Sequence, residues 1–308
     1  MARLLAIFVS AATVALLYLL IDVDALGSAL AQTDMGRLVL SLVLLMLLIQ
    51  LSAVRLVLLA RISALEVGLG LATRAVFAAN ALNLFMPSKL GDLAKASMLR
   101  SQDGSMMPAF NMVLAEKLAD LLAVMILGAV ALAAYSGEGV AWFVGALAIL
   151  TAISALTLAG LLGGLLPALE PKLPRVAGIG HRFVARWREQ IGSFRRRPFL
   201  TSMFCALTLL IWAGHLAQIA MMAWALGVSG PWEPLIAIFP IVILAGLLPM
   251  TIAGIGPRDM ATVAFAGPLI GTGVAAALGI LLWLRIIVPG LAGLPFTGAY
   301  FRSLRRSR

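Results

Sequence analysis

Two stretches of this chain set charged residues beside helix breakers in otherwise apolar surroundings. The first, from Asn83 to Asp92, contains Pro87, Lys89 and Gly91, and Lys95 follows within one turn. The second runs from Leu248 through Pro249, Gly254, Gly256 and Pro257 to Arg258 and Asp259. Each reads as an apolar approach, a proline, a glycine-containing turn and an aspartate that opens a new helix, and continuous spanning helices avoid such breakers. Two broken hydrophobic segments in corresponding halves are the sequence sign of a transporter-like site near the bilayer midplane.

The chemistry these residues offer is ionic recognition. A charged side chain at membrane depth costs roughly 2.5–3.5 kcal/mol on insertion scales, so each one there is a functional candidate. Asp92 and Lys95 share a helix face and read either as an ion pair that holds the first segment together or as a headgroup contact. The glycine-rich turn before Arg258 runs into a helix start, which leaves backbone N–H groups free for a phosphate. Glu116 and Asp120 stand four apart on one face, with Lys117 beside Glu116. Acids so placed repel unless cations lie opposite, and Lys89, Lys95 and Arg258 are the expected partners, in a network that is either structural or ligand-binding. Arg285, deep in the last apolar run, must pair with one of those acids or bind phosphate. His215, Gln218 and Gln50 read as interhelical hydrogen-bonding groups, with proton coupling through His215 as the alternative. No Ser/His/Asp array, P-loop or paired catalytic carboxylate is visible. With one cysteine, Cys205, and two distant histidines, metal ligation has no basis and no cofactor is implied.

The elements that hold these groups follow from composition. Hydrophobic residues make up 62% of the 308 and charged residues only 12%, against about a quarter charged in ordinary soluble domains. Mean hydropathy is +1.07. This is the composition of an all-α polytopic membrane protein in a single transmembrane domain. The net charge of +10 sits in short loops between apolar runs, where bases set topology and touch anionic lipid rather than nucleic acid.

Apolar runs long enough to span cover about 4–21, 37–59, 109–135, 140–166, 199–226 and 274–298. The first resembles a signal peptide, but no small-residue cleavage site follows it, so it reads as a retained span. Acidic connections (Asp22, Asp24 and Asp34; Glu138; Glu233) should face out. Basic ones (Arg55, Arg61 and Arg74; Lys172 to Arg197; Arg302 to Arg308) should face the cytoplasm, as should both termini. The count closes if about 64–103 enters from the cytoplasm and returns there while about 232–270 does the same from outside. That gives six spans and two oppositely oriented re-entrant hairpins, an inverted repeat with both aspartate-bearing tips close together. Full crossing of each segment as two short helices keeps the same parity.

Residues 172–198 are the most polar stretch. Phe183, Trp187, Ile191 and Phe194 recur at helical spacing against Arg182, Arg186, Arg188 and Arg195, as expected of an amphipathic helix lying on the anionic inner leaflet.

Three ordered motifs carry a family resemblance across nearly the whole chain. They are Asn83, Pro87, Gly91, Asp92 and Lys95; then Glu116, Lys117 and Asp120; then Leu248, Pro249, Gly254, Gly256, Arg258 and Asp259. Together they resemble the lysylphosphatidylglycerol synthase transmembrane (flippase-like) family. The resemblance implies a bacterial inner-membrane protein related to the membrane half of enzymes that make and flip aminoacylated phosphatidylglycerol. Asp92 and Asp259 stand where the family commonly has Glu, and Lys95 and Lys117 where Arg is usual; Lys cannot make Arg's two-pronged phosphate contact.

The expected function is therefore a lipid transporter, with membrane lipids of the anionic phospholipid or polyprenyl-phosphate type as partners. Lys89, Lys95, Arg258 or Arg285 would hold the phosphate, and Asp92, Asp259, Glu116 and Asp120 would neutralise them when the site is empty. Lipid- or glycan-synthesis enzymes and an oligomer are compatible with this. The rivals are a non-catalytic scaffold for such enzymes and, less favoured by these residues, a membrane-embedded headgroup transferase.

Overall fold

A computed structural model describes residues 23–86, 90–99, 106–136, 145, 174–246, 256–298 and 300. Among these residues the chain is all-helical, with ten α-helices. They are α1 (Val23–Ala31), α2 (Met35–Ile62), α3 (Leu69–Asn83), α4 (Ala94–Met98), α5 (Met107–Ser136), α6 (Pro174–Arg196), α7 (Pro198–Ala225), α8 (Trp232–Ala245), α9 (Pro257–Ile270) and α10 (Thr272–Gly293). A short 3₁₀ turn, Leu90–Leu93, leads into α4.

Four helices are long and apolar enough to cross a membrane: Met35–Ile62, Met107–Ala134, Pro198–Ala225 and Thr272–Phe296. They coincide with four of the six runs expected from sequence. The other two, about 4–21 and 140–166, lie outside the described residues. Local chemistry sets where the helices start. Asp34 caps α2 by accepting from the Arg37 backbone N–H at 3.0 Å, and proline occupies the first turn of α7 and α9, where its missing N–H costs nothing.

The helices build two apolar cores, each around one broken segment. In one, Ala72, Ala75 and Val76 of α3 and Ala96 of α4 pack with Ala53, Leu56 and Leu59 of α2 and Met112 and Val113 of α5. In the other, Leu235, Phe239 and Val242 of α8 and Ala266 of α9 pack with Ile219 and Met222 of α7 and Leu278 and Leu282 of α10. Lipid tails are as apolar as leucine, so small residues that let backbones approach carry much of this association. The α3 helix shows it, with Ala72, Ala75, Ala78, Ala79 and Ala81 all fully buried.

After α3 the chain turns, and both the 3₁₀ turn and α4 pack back against α3; α8 and α9 likewise pack on each other. Gly91 makes the first return possible. A Cβ there would meet Asn83 Oδ1 at 2.6 Å and the Ala79 carbonyl at 2.7 Å.

The α6 helix departs from its expected place on a lipid surface. Trp187 is buried against Ala115 of α5, with Leu114, Leu118, Ile191 and Phe194 around it. Phe183 stacks on Trp187 and meets Phe110 of α5 edge-on. A protein groove therefore takes the apolar stripe, while Arg182, Arg186, Arg188 and Arg195 remain exposed.

Gly91→Ala should lower stability in detergent by about 1–3 kcal/mol, because the 3₁₀ turn must move off α3. Gly70→Ala, where a Cβ meets nothing within 4 Å, should cost nothing. Thermal unfolding of the two variants beside wild type measures the contrast.

Candidate functional site

The returning segment brings Asp92 and Lys95 against α2 and α5, and six charges close into a ring. Asp92 lies 3.6 Å from Lys95, Lys95 3.1 Å from Glu116, and Glu116 2.9 Å from Arg55. Arg55 lies 2.5 Å from Asp120, Asp120 3.3 Å from Lys117, and Lys117 2.8 Å from Asp92. Acid and base alternate, three of each, so every charge stands between two of opposite sign and the ring is neutral. Arg55 and Lys95 are each 3% exposed and Glu116 is 1% exposed. Such burial is tolerable only because each carboxylate accepts from cations on both sides. From α7, Trp212 donates its indole N–H to Asp120 at 2.9 Å, and Thr208 lies 3.5 Å from Arg55 Nη1.

Arg55 is the ring member that charge counting misplaces. Read as a cytoplasmic topology signal, it is a buried α2 residue joining Glu116 to Asp120. The signal was present: Arg55 falls inside the apolar run 37–59, and an acid pair four apart calls for a cation opposite. Lys95 is such a partner, as expected. Arg258 is not, since it lies beside Asp259; Lys89 lies outside the described residues, as do Pro87, Pro249 and Gly254.

The second broken segment builds a different environment. Gly256, with φ +106°, turns the chain into α9 in a conformation that favours glycine. Its N–H donates to the Asp259 carboxylate at 2.9 Å. That donor, expected to be free for a phosphate, is thus taken by the helix's own cap. The indole N–H of Trp283 on α10 reaches the same carboxylate at 3.1 Å. Arg258 lies 3.6 Å from Asp259, and its Nε and one terminal nitrogen are buried without a hydrogen-bond partner among the described residues.

Arg285 meets no carboxylate among the described residues. Its guanidinium lies 3.1 Å from Nδ1 of His215 on α7, so the pairing with Glu116 or Asp120 is not formed. Gln50 bonds Thr73 between α2 and α3 at 3.1 Å, as an interhelical group should. Gln218 does not follow: both its amide atoms are buried and unbonded among the described residues.

Both environments face one cavity of about 190 Å³. All six ring residues line it, with Asn80 and Asn83 from α3. His215, Gly246, Arg258 and Arg285 line it as well. Asn83 Oδ1 is buried and unbonded among the described residues. Asp92 and Asp259, expected at adjacent tips, sit instead in separate networks, and only Asp92 lines the cavity. The two environments differ in charge: the ring sums to zero, whereas Arg258 and Arg285 stand with the single carboxylate of Asp259. Trp212 and Trp283 escaped the sequence reading because an indole in an apolar run gives no sign of which acid its N–H will find.

Arg55→Gln should destabilise the protein by about 3–5 kcal/mol, the cost of leaving buried carboxylates without their shared cation. Arg55→Gln combined with Glu116→Gln should recover part of that loss. Thermal midpoints of wild type, single and double variants read out both effects.

The Asn83-to-Lys95 and Glu116-to-Asp120 motifs thus meet in one ring, and the Gly256-to-Asp259 motif contributes Arg258 to the same cavity. No curated protein sequence matches the chain. The sequence model of the lysylphosphatidylglycerol synthase TM region matches residues 3–293, which takes in all three motifs and every helix that walls the cavity. The chain belongs to that membrane-protein family.

Proposed function

We propose that this protein moves a phosphate-bearing lipid headgroup between the leaflets of a bacterial inner membrane. The observation that carries the reading is the Arg258–Arg285 pair, two arginines without full carboxylate pairing among the described residues that line a partly open cavity of mixed polar and apolar lining. Arginine prefers bidentate contact with phosphate oxygens, and a buried guanidinium with idle N–H groups is costly until an anion arrives. A scaffold has no need to bear that cost. A transferase would need a free base, whereas the ring carboxylates are each held between two cations.

The broken segments fit alternating access. At 1.5 Å per residue, α3 (15 residues) and α8 (14 residues) reach only about 20 Å, short of a hydrocarbon core of about 30 Å. Each is followed by a segment that packs back on it, as a re-entrant hairpin would; their opposite orientation and the cytoplasmic termini belong to the proposal on the distribution of basic residues. The ring then ties the first hairpin to α2 and α5 while the second hairpin presents the anion wall. An arriving phosphate would draw Arg258 from Asp259, coupling occupancy to movement of α9.

The test is leaflet-to-leaflet movement of fluorescent phosphatidylglycerol, phosphatidylethanolamine and polyprenyl phosphate in reconstituted vesicles. Arg258→Ala and Arg285→Ala should each slow the transported class by about tenfold or more, the loss of one charge-assisted contact. Arg188→Ala, on the exposed face of α6, should not. Wild-type movement in both cavity variants, with normal melting, would defeat the reading and favour the scaffold.

A further inference from the structure

The cavity is too small for a whole lipid. Its volume of about 190 Å³ falls below the roughly 300 Å³ at which pockets for drug-sized ligands begin. It admits a headgroup, so acyl chains must stay outside, and the headgroup needs a sideways entrance.

A second hollow, of about 410 Å³, opens on the outer surface of the helices. It is lined by five residues of α2 between Val39 and Leu47, by Phe77 of α3 and by Val288 of α10, all apolar. On α2 these residues follow the three-and-four spacing of one helical face, and Val43 and Leu47 are 51% and 62% exposed. The Phe77 ring is held at the edge of the groove by a tilted contact with Phe296 at 5.7 Å.

Three helices contribute to both groove and cavity, through residues one or two positions apart. Leu45 faces the cavity and Met46 the groove; Val76 faces the cavity and Phe77 the groove; Ile286 faces the cavity and Val288 the groove. Successive helical residues point about 100° apart, so the two hollows lie on either side of one seam formed by α2, α3 and α10. We infer that the groove is the acyl-chain site of the lipid whose headgroup occupies the cavity, and that this seam is its lateral entrance. The inference rests on the headgroup reading of the cavity. A chain lying against Val43 and Phe77 keeps its hydrocarbon in an apolar setting while the phosphate reaches Arg285 through the seam, so no charged group need cross open lipid.

Two measurements test it. In phosphatidylcholine vesicles, phosphatidylglycerol carrying a diazirine near the end of one chain should label the Val39–Leu47 segment. Unlabelled phosphatidylglycerol should compete that labelling away, and added phosphatidylcholine should not. Labelling indifferent to headgroup would mean ordinary boundary lipid and would overturn the inference, as would labelling confined to a contact between two copies of the chain. Second, Val43→Trp, which fills the groove, should slow phosphatidylglycerol movement by about tenfold. Leu210→Trp, on an exposed face of α7 away from the groove, should not. Glycerophosphoglycerol, the soluble headgroup, should raise the melting temperature of wild type and of Val43→Trp alike. Wild-type transport in Val43→Trp with that shift intact would sink the groove and spare the cavity; loss of the shift in wild type would sink the headgroup reading itself.

Discussion

A charge held away from water must find an opposite charge, and most of this structure's polar design follows from that requirement. Six side chains from α2, α5 and the segment after α3 meet it by closing on themselves. Alternation matters more than number: a chain of pairs would leave its ends half-satisfied, whereas a ring has none. The spacing of Asp92 and Lys95 and the four-residue step from Glu116 to Asp120 both make sense as arcs of one circle. Because the arcs come from three elements, the ring also locks the first broken segment in place, and its electrostatics and the fold cannot be separated.

The second half solves the same problem incompletely. Asp259 is saturated by Gly256, Trp283 and nearby Arg258, yet among the described residues Arg258 keeps buried N–H groups without acceptors and Arg285 meets an imidazole rather than a carboxylate. One indole per half, Trp212 or Trp283, adds a neutral donor to an aspartate that already has a cation beside it. The result is a polar cavity with a balanced wall and an unbalanced one. Unbalanced charge in an apolar setting is expensive, and a transient anion is the simplest agent to offset it, which is why the transport proposal is placed on this wall.

Packing keeps the cavity open. Two apolar cores form around the two broken segments, and the space between them remains polar because neither segment is long enough to fill it. Small residues on α3 and the bare Gly91 let the returning segment close tightly on α3.

Much of this was legible in the chain itself. Four apolar runs announced their helices within a few residues, since length and hydropathy alone decide what can span a bilayer. The breakers at Gly91 and Gly256 announced where the apolar segments are interrupted, and the acids at 116 and 120 announced that cations must lie opposite. Which cations could not be read. Arg55 is distant in sequence from its carboxylates and resembles a topology charge. Arg258 stands beside the acid that takes it, and α6 carries a stripe that fits a membrane surface as well as the flank of α5. Sequence determined the inventory of charges and the helix breaks, because composition and local propensity act within a few residues. The tertiary structure alone decided which charges close into a neutral ring and which are left facing the cavity, because pairing depends on distances between elements that periodicity does not encode.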